Sequence, residues 1–90
     1  MRVRIKVYGL VQGVFFRFNT KEKADELGLK GWVRNKGDGS VEILTEGTNE
    51  KVKELVKWCK DGPGMSRVDK VEVEEDVTTK EKLRKFEIKY

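Results

Sequence analysis

Near its N-terminus the sequence reads Gly9-Leu10-Val11-Gln12-Gly13-Val14-Phe15-Phe16-Arg17, where an alternating strand pattern stops and a helical pattern is about to start. The two glycines allow positive φ angles and a close approach of backbone to ligand, which leaves consecutive N–H groups free to converge on one point. The following helix aims its own N-terminal N–H groups at that point, and Arg17 adds a bidentate cation. This outline fits a phosphate site. A purely structural turn beside a solvated arginine has the same pattern.

Composition restricts the class of protein further. The chain has 90 residues, with 20 Lys and Arg against 16 Asp and Glu, one Cys and no His. An internal disulfide and a Cys/His zinc site are therefore excluded, and no apolar run is long enough for a signal peptide or a membrane helix. We expect one domain over residues 1–90, located in a reducing cytoplasm and not in a membrane. The formal charge of +4 is spread along the chain, which favours small anionic substrates without requiring nucleic acid.

Hydrophobic periodicity divides the first half of the chain into strand, helix and hairpin. Residues 2–8 alternate as a half-buried strand does. A helix is predicted over about residues 16–27, ended by Gly28. Strands over residues 31–35 and 41–46 form a hairpin across a glycine-rich turn. The residues predicted to face the core are Val3, Ile5, Val7, Phe16, Thr20, Ala24, Leu27, Val41, Ile43 and Thr45.

The second half supplies one more helix and two more strands. Thr48 or Asn49 can cap a helix that runs to about Lys60, with a core-facing stripe of Val52, Leu55, Val56 and Cys59. Strands are predicted over residues 68–75 and 85–90, separated by a polar loop over residues 76–83. The order predicts an α+β fold, a ferredoxin-like βαββαβ sandwich in which two helices cover one face of an antiparallel sheet, with an appended C-terminal strand.

Asn35, at the end of the second predicted strand, is a candidate partner for the loop 12–17. Its amide can orient a water against a bound phosphoryl group without titrating, although an asparagine here also suits the start of a turn. A cysteinyl-phosphate loop would need its nucleophile six residues before Arg17, where the chain has Val11. No histidine is available as acid or base, and the loop region has no carboxylate pair for metal ions.

Such a site can hydrolyse only a phosphate whose leaving group departs without help. Acyl phosphates meet this condition, because their leaving group is a carboxylate whose conjugate acid has a pKa of roughly 4–5 and needs no proton. Positioning and charge stabilisation then suffice, as they largely do in phosphoryl transfer.

Two motifs resemble those of the acylphosphatase family: residues 9–17, and Gly31-Trp32-Val33-Arg34-Asn35 with Gly39, Val41 and Gly47 at matching spacing. The resemblance implies a monomeric enzyme, free of metal and cofactor, that acts on small acyl phosphates such as carbamoyl phosphate, succinoyl phosphate, 1,3-bisphosphoglycerate or benzoyl phosphate. Arg17 and Asn35 would be catalytic, with Asn35 holding the attacking water. Many members have Thr where this chain has Lys36. The phosphate-binding residues that the resemblance implies are Gln12, Gly13, Val14, Phe15, Phe16 and Arg17.

Two alternatives stay open. The first is a non-catalytic domain that binds phosphate or carbamoyl phosphate, related to hydrogenase-maturation proteins; the presence of both Arg17 and Asn35 favours turnover over binding alone. The second is an RNA-binding module on the same fold. The strand Ser40 to Glu46 argues against it, because this strand has no aromatic residue for base stacking and is predicted to expose Glu42 and Glu46.

Overall fold

The computed structural model describes residues 1–90 as five strands and two helices. The elements are β1 (Arg2–Leu10), α1 (Phe16–Glu26), β2 (Lys30–Asn35), β3 (Val41–Glu46), α2 (Asn49–Lys60), β4 (Arg67–Glu74) and β5 (Phe86–Lys89). The predicted elements are confirmed: β1 extends two residues further, to Leu10, and the other ends agree to within one residue. Neither helix is long and apolar enough to cross a membrane.

The five strands form one sheet in the order β4-β1-β3-β2-β5. The pairs β4–β1, β1–β3 and β3–β2 are antiparallel, as the predicted fold class requires. The appended strand β5 pairs with β2 in parallel. Gly9 sits at a bulge between β1 and β4, with φ of 132°, where a Cβ would lie 2.2 Å from the carbonyl oxygen of Arg67. Only glycine allows this close approach of the two strands.

Both helices cover one face of the sheet, and the core lies between the helices and that face. Every residue predicted to face the core in β1, α1 and β3 is buried. On α2 the stripe is buried at Val52, Leu55 and Cys59 and partly buried at Val56. The rings of Phe16 and Trp58 lie 5.8 Å apart, which joins the start of α1 to the end of α2. This aromatic contact anchors the residue that follows the glycine loop.

The opposite face of the sheet is covered by charged pairs. Glu42, on β3, lies between Arg4 and Arg34, with closest N–O distances of 3.4 Å and 2.6 Å. Its side chain is only 5% exposed. The expectation that Glu42 is exposed is therefore wrong, because the two arginines on the neighbouring strands lie over it and balance its charge, and Arg34 donates a hydrogen bond of 2.7 Å to its Oε1.

The predicted loop between β4 and β5 is confirmed as irregular, and it packs onto this outer face. Leu83 is buried there against Trp32 and Leu44. Glu81 accepts a hydrogen bond of 2.9 Å from the indole N–H of Trp32. Partial burial opposes ionisation of Glu81, but the hydrogen bonds from Trp32 and Lys89 outweigh it and lower its pKa. A segment that looks solvated in sequence thus covers the second face of the sheet.

The topology brings three strand ends to one edge. β1 and β2 both run antiparallel to β3, which lies between them, so their C-terminal ends meet at the same side of the sheet. Parallel β5 ends there too: Arg34 is opposite Lys89, which places Asn35 next to Tyr90. The glycine loop, Asn35 and Tyr90 are therefore neighbours at this edge.

Candidate active site

The loop between β1 and α1 turns through two left-handed residues. Gly13 has φ of 75°, and Phe15 has φ of 60°. A phenylalanine in this region costs on the order of 1–3 kcal/mol, so the conformation persists only because the surrounding structure imposes it. The buried ring of Phe16 fixes the next residue, while the ring of Phe15 is 75% exposed. The turn thus directs one aromatic ring into the core and leaves the other at the surface.

These N–H groups have no acceptor within the chain. The backbone N–H groups of residues 12–18 donate to no backbone or side-chain acceptor, and the first bond of α1 runs from Asn19 to the carbonyl of Phe15, at 2.9 Å. α1 has no side-chain cap and no acidic residue in its first turn. The N-terminus of α1 therefore offers unpaired donors and the positive end of the helix dipole to an anion.

Arg17 lies in the first turn of α1, half-buried at the same point. It forms no ion pair with a carboxylate, although the chain contains eleven such pairs elsewhere. Its guanidinium carbon lies 4.9 Å from the centre of the Tyr90 ring. This contact is worth little at an exposed site, but it restrains the guanidinium and leaves its N–H groups free.

Asn35 ends β2 on the same side of the sheet. Its Oδ1 is buried and has no hydrogen-bond partner. A buried acceptor without a donor costs about 1–3 kcal/mol, so the chain keeps this amide oxygen unpaired at a cost in stability. The hairpin turn is closed instead by the backbone N–H of Lys36, which donates to the carbonyl of Ser40 at 2.8 Å. The side chain of Asn35 takes no part in that turn.

One cavity of about 390 Å³ joins these groups. It contains four of the predicted phosphate-binding residues together with Asn35, whereas Gln12 and Val14 do not line it. Four further lining residues, Val11, Phe18, Ile88 and Tyr90, were not predicted from the sequence. Phe18 carried a usable signal, an aromatic residue off the buried face of α1; Ile88 and Tyr90 depend on the parallel pairing of β5. The lining residues are Val11, Gly13, Phe15, Phe16, Arg17, Phe18, Asn35, Ile88 and Tyr90.

The side chain of Gln12 points away from the cavity, to the β2–β3 hairpin. Its Nε2 donates to the carbonyl oxygens of Lys36 and Ser40, at 2.8 Å each. The hairpin is further closed by Asp38, whose pKa is lowered by hydrogen bonds from the hydroxyl and backbone N–H of Ser40. Gln12 thus joins the glycine loop to the residue that follows Asn35, a contact that no pattern in the sequence indicates. Val14 packs, partly buried, against the core.

Nucleophiles and metal ligands are absent from the site. Cys59 is buried on α2, outside the cavity, and burial raises the pKa of its thiol to about 12. It is therefore a neutral core side chain and not a nucleophile. The chain brings no three His, Cys, Asp or Glu side chains together as a metal site.

Fold and cavity together define a ferredoxin-like domain with a cavity at the start of its first helix, where unpaired backbone N–H groups and Arg17 meet. The family model described as Acylphosphatase matches residues 3–88. An acylphosphatase of Rubrobacter xylanophilus is 57% identical over 75 residues, covering 83% of this chain and 68% of its own. One of Aeropyrum pernix is 48% identical over 91 residues, covering 100% and 89%. The crystal structure of acylphosphatase from Bacillus subtilis superposes with a TM-score of 0.91 at 39% identity, covering 99% and 98%.

The chain therefore belongs to the acylphosphatase family, a group of hydrolases that act on acid anhydrides. The predicted family and the predicted fold class are both confirmed. Of the functions weighed from the sequence, these relatives favour the acylphosphatase over the binding domain and the RNA-binding module.

Proposed function

We propose that this chain hydrolyses the carboxyl–phosphate anhydride of small acyl phosphates, giving a carboxylate and inorganic phosphate, with Arg17 and Asn35 as catalytic residues. One observation carries the proposal. A loop with unpaired backbone N–H groups, an arginine without a carboxylate partner and an asparagine whose buried amide oxygen has no donor all lie around one cavity. Each of these features costs stability in the free protein, and an anion with an attacking water satisfies all of them.

The phosphoryl group would be held by the start of α1. The backbone N–H groups of residues 12–17 donate to its oxygens, and the guanidinium of Arg17 clamps two of them. As the bond to the leaving group lengthens, negative charge grows on the leaving oxygen while the phosphoryl oxygens stay fully charged. Donors fixed in advance stabilise this distribution without reorganising.

Asn35 would hold the attacking water. Its Oδ1 accepts a hydrogen bond from the water and directs the oxygen lone pair at phosphorus, opposite the acyl oxygen. The oxygen of water bonds to phosphorus as the bond to the acyl oxygen breaks, and that electron pair leaves on the carboxylate. One proton of the water stays on the phosphate, and the other passes to phosphate or solvent. No general acid is needed, because the carboxylate leaves unprotonated.

The remaining features of the proposal concern the state of the protein. We take residues 1–90 to be a single acylphosphatase-like domain that acts as a monomer in the cytoplasm, without metal or cofactor and without nucleic acid. The positive net charge supports an anionic substrate. The outer sheet face supports the exclusion of RNA, because Trp32 and Glu42 are buried there and form no stacking surface.

The deciding experiment is the Asn35→Ala variant. We expect its turnover of benzoyl phosphate to fall by roughly 10²-fold or more, while competitive inhibition by inorganic phosphate stays nearly intact, because the amide acts chiefly in the transition state. Asn49→Ala, at an exposed position on α2, is the matched control. Circular dichroism melting checks that both variants are folded. Near-normal turnover by Asn35→Ala would remove its proposed role.

The same assay tests the mechanism in the unmodified protein. Because no group near the loop can donate a proton, glycerol phosphate should be essentially inert. Chelation should leave benzoyl phosphate hydrolysis unchanged. A strict requirement for magnesium, or comparable rates on both substrates, would contradict the mechanism.

A further inference from the structure

The cavity that contains Arg17 and Asn35 has an apolar wall that binding of a phosphate does not explain. Six of its nine lining residues are hydrophobic. Three aromatic side chains of the cavity are exposed: Phe15 at 75%, Phe18 at 54% and Tyr90 at 98%. The other aromatic residues of the chain are buried or half-buried. Exposed aromatic side chains concentrated around one cavity indicate a binding site for an apolar group.

The charges of the wall restrict what can bind there. Arg17 is the only lining residue with a charged side chain, and the phosphoryl group occupies it. Asn35, the remaining polar amide, faces the attacking water. A second carboxylate on the substrate would therefore meet no free cation in the cavity and would lose hydration against phenylalanine and isoleucine side chains.

The chemistry of an acyl phosphate places its acyl group against this wall. The acyl carbon is joined to phosphorus through a single bridging oxygen, so the substituent that it carries must leave the phosphate loop within the cavity. Phe18 on α1 and Ile88 on β5 line the cavity outside the loop 12–17 and Asn35, so neither the phosphate nor the water needs them. They lie on the two elements that flank the loop and Asn35.

We propose that the wall formed by Phe18, Ile88 and Tyr90 is the acyl-binding subsite, and that the preferred substrates carry an apolar acyl group, aliphatic or aromatic. The proposal rests on the proposed hydrolysis of acyl phosphates and specifies its substrate class. Apolar contacts are the same in the bound substrate and in the transition state, so the preference should lie in KM, with kcat nearly constant.

The test is a series of unbranched acyl phosphates from acetyl through butanoyl to hexanoyl phosphate. Their leaving carboxylates have nearly equal basicity, so differences in rate report the acyl contacts. A fully buried methylene adds roughly fourfold in affinity, and this open wall buries each one only in part. We expect kcat/KM to rise by about tenfold from acetyl to hexanoyl phosphate, mostly through KM.

A matched pair of variants locates the preference. Phe18→Ser removes an exposed side chain from the wall and should bring the ratio of hexanoyl to acetyl kcat/KM to about threefold or less. Met65→Ser removes an apolar side chain that is 78% exposed but does not line the cavity, and it should keep the ratio of the unmodified protein. Succinoyl phosphate should be a poorer substrate than butanoyl phosphate, which has the same chain length without the carboxylate.

The outcomes separate this inference from the proposed function. Hydrolysis of all members with equal kcat/KM, or a preference for succinoyl over butanoyl phosphate, would overturn the apolar subsite and leave the acylphosphatase activity intact. A ratio that falls equally in Met65→Ser would also overturn it. Failure to hydrolyse any acyl phosphate would overturn the proposed function and this inference with it.

Discussion

The N-termini of the two helices differ in how their backbone N–H groups are satisfied. α2 begins after Thr48, whose hydroxyl accepts a hydrogen bond from the N–H of Lys51 at 3.3 Å, and Glu50 adds a negative charge in the first turn. α1 begins after Phe15, which is left-handed and provides no side-chain cap, and its first turn has no acidic residue. One helix is closed by its own chain, and the other is left open.

The difference shows what separates a binding site from an ordinary helix start. Every helix leaves its first N–H groups without partners, and a side chain normally supplies an acceptor. At α1 a phenylalanine takes the capping position and Arg17 adds a positive charge where a negative one would stabilise the helix. Both choices are unfavourable for the isolated helix and favourable for an anion bound at its start.

The largest loss of activity is expected when the guanidinium at the start of α1 is replaced by an ammonium group. Arg17→Lys keeps the charge but loses the planar fork. We expect turnover of benzoyl phosphate to fall by about 10²-fold or more and inhibition by inorganic phosphate to weaken. Arg67→Lys, on the exposed edge strand β4, is the control. Unchanged phosphate inhibition together with unchanged turnover would place Arg17 outside the site.

A smaller effect is expected when α1 is made to resemble α2. Phe15→Asp places a carboxylate at the open helix start, where it competes with the phosphate for the same N–H groups. We expect kcat/KM to fall by about 30-fold, since the carboxylate both takes up the N–H groups and repels the phosphate at close range. Phe15→Asn is the neutral control, because asparagine and aspartate both tolerate left-handed backbone. Equal losses in the two variants would mean that charge at this position does not matter.

The contact between loop and hairpin should matter less. Gln12→Met keeps the length of the side chain but removes both hydrogen bonds to the hairpin beside Asn35. We expect kcat for benzoyl phosphate to fall about fivefold while inhibition by phosphate is unchanged, because the water is misplaced and the phosphate is not. Rate and inhibition measurements on one preparation suffice. A variant that loses thermal stability alone, with kcat intact, would make Gln12 a purely structural residue.

The smallest effect on catalysis is expected at the closed helix. Thr48→Ala removes the cap of α2 and should lower the free energy of unfolding by about 1 kcal/mol, measured in urea. Its kcat/KM for benzoyl phosphate should equal that of the unmodified protein. Any loss of activity in the folded variant would show that the two helix starts are coupled, and would weaken the comparison.

Much of the fold follows from local patterns, and the site follows in part. The period of two in β1 and the stripe on α2 depend on neighbours in sequence, so both are readable before the structure is known. The glycines of the loop and the position of Arg17 predict an anion site in the same way, because they too are close in sequence. The sequence pattern allows either Thr48 or Asn49 as the cap of α2, and only the structure selects Thr48.

The features that were missed depend on contacts distant in sequence. Leu83 stands alone among charged residues, so no periodicity reveals that it covers Trp32. Burial of Glu42 depends on arginines from two other strands. The place of Tyr90 in the site depends on the direction in which β5 pairs with β2, and a four-residue strand carries no signal of direction.

That parallel strand has a consequence for how the activity is gained during folding. β5 places Tyr90 beside Asn35, while Arg17 follows β1 at the other end of the chain. The proposed site is complete only when the first and last strands have both joined the sheet, and such distant contacts are slow to close. Return of hydrolysis in a refolding experiment should therefore report formation of the entire sheet. Folding intermediates in which β5 has not yet paired with β2 should show no activity.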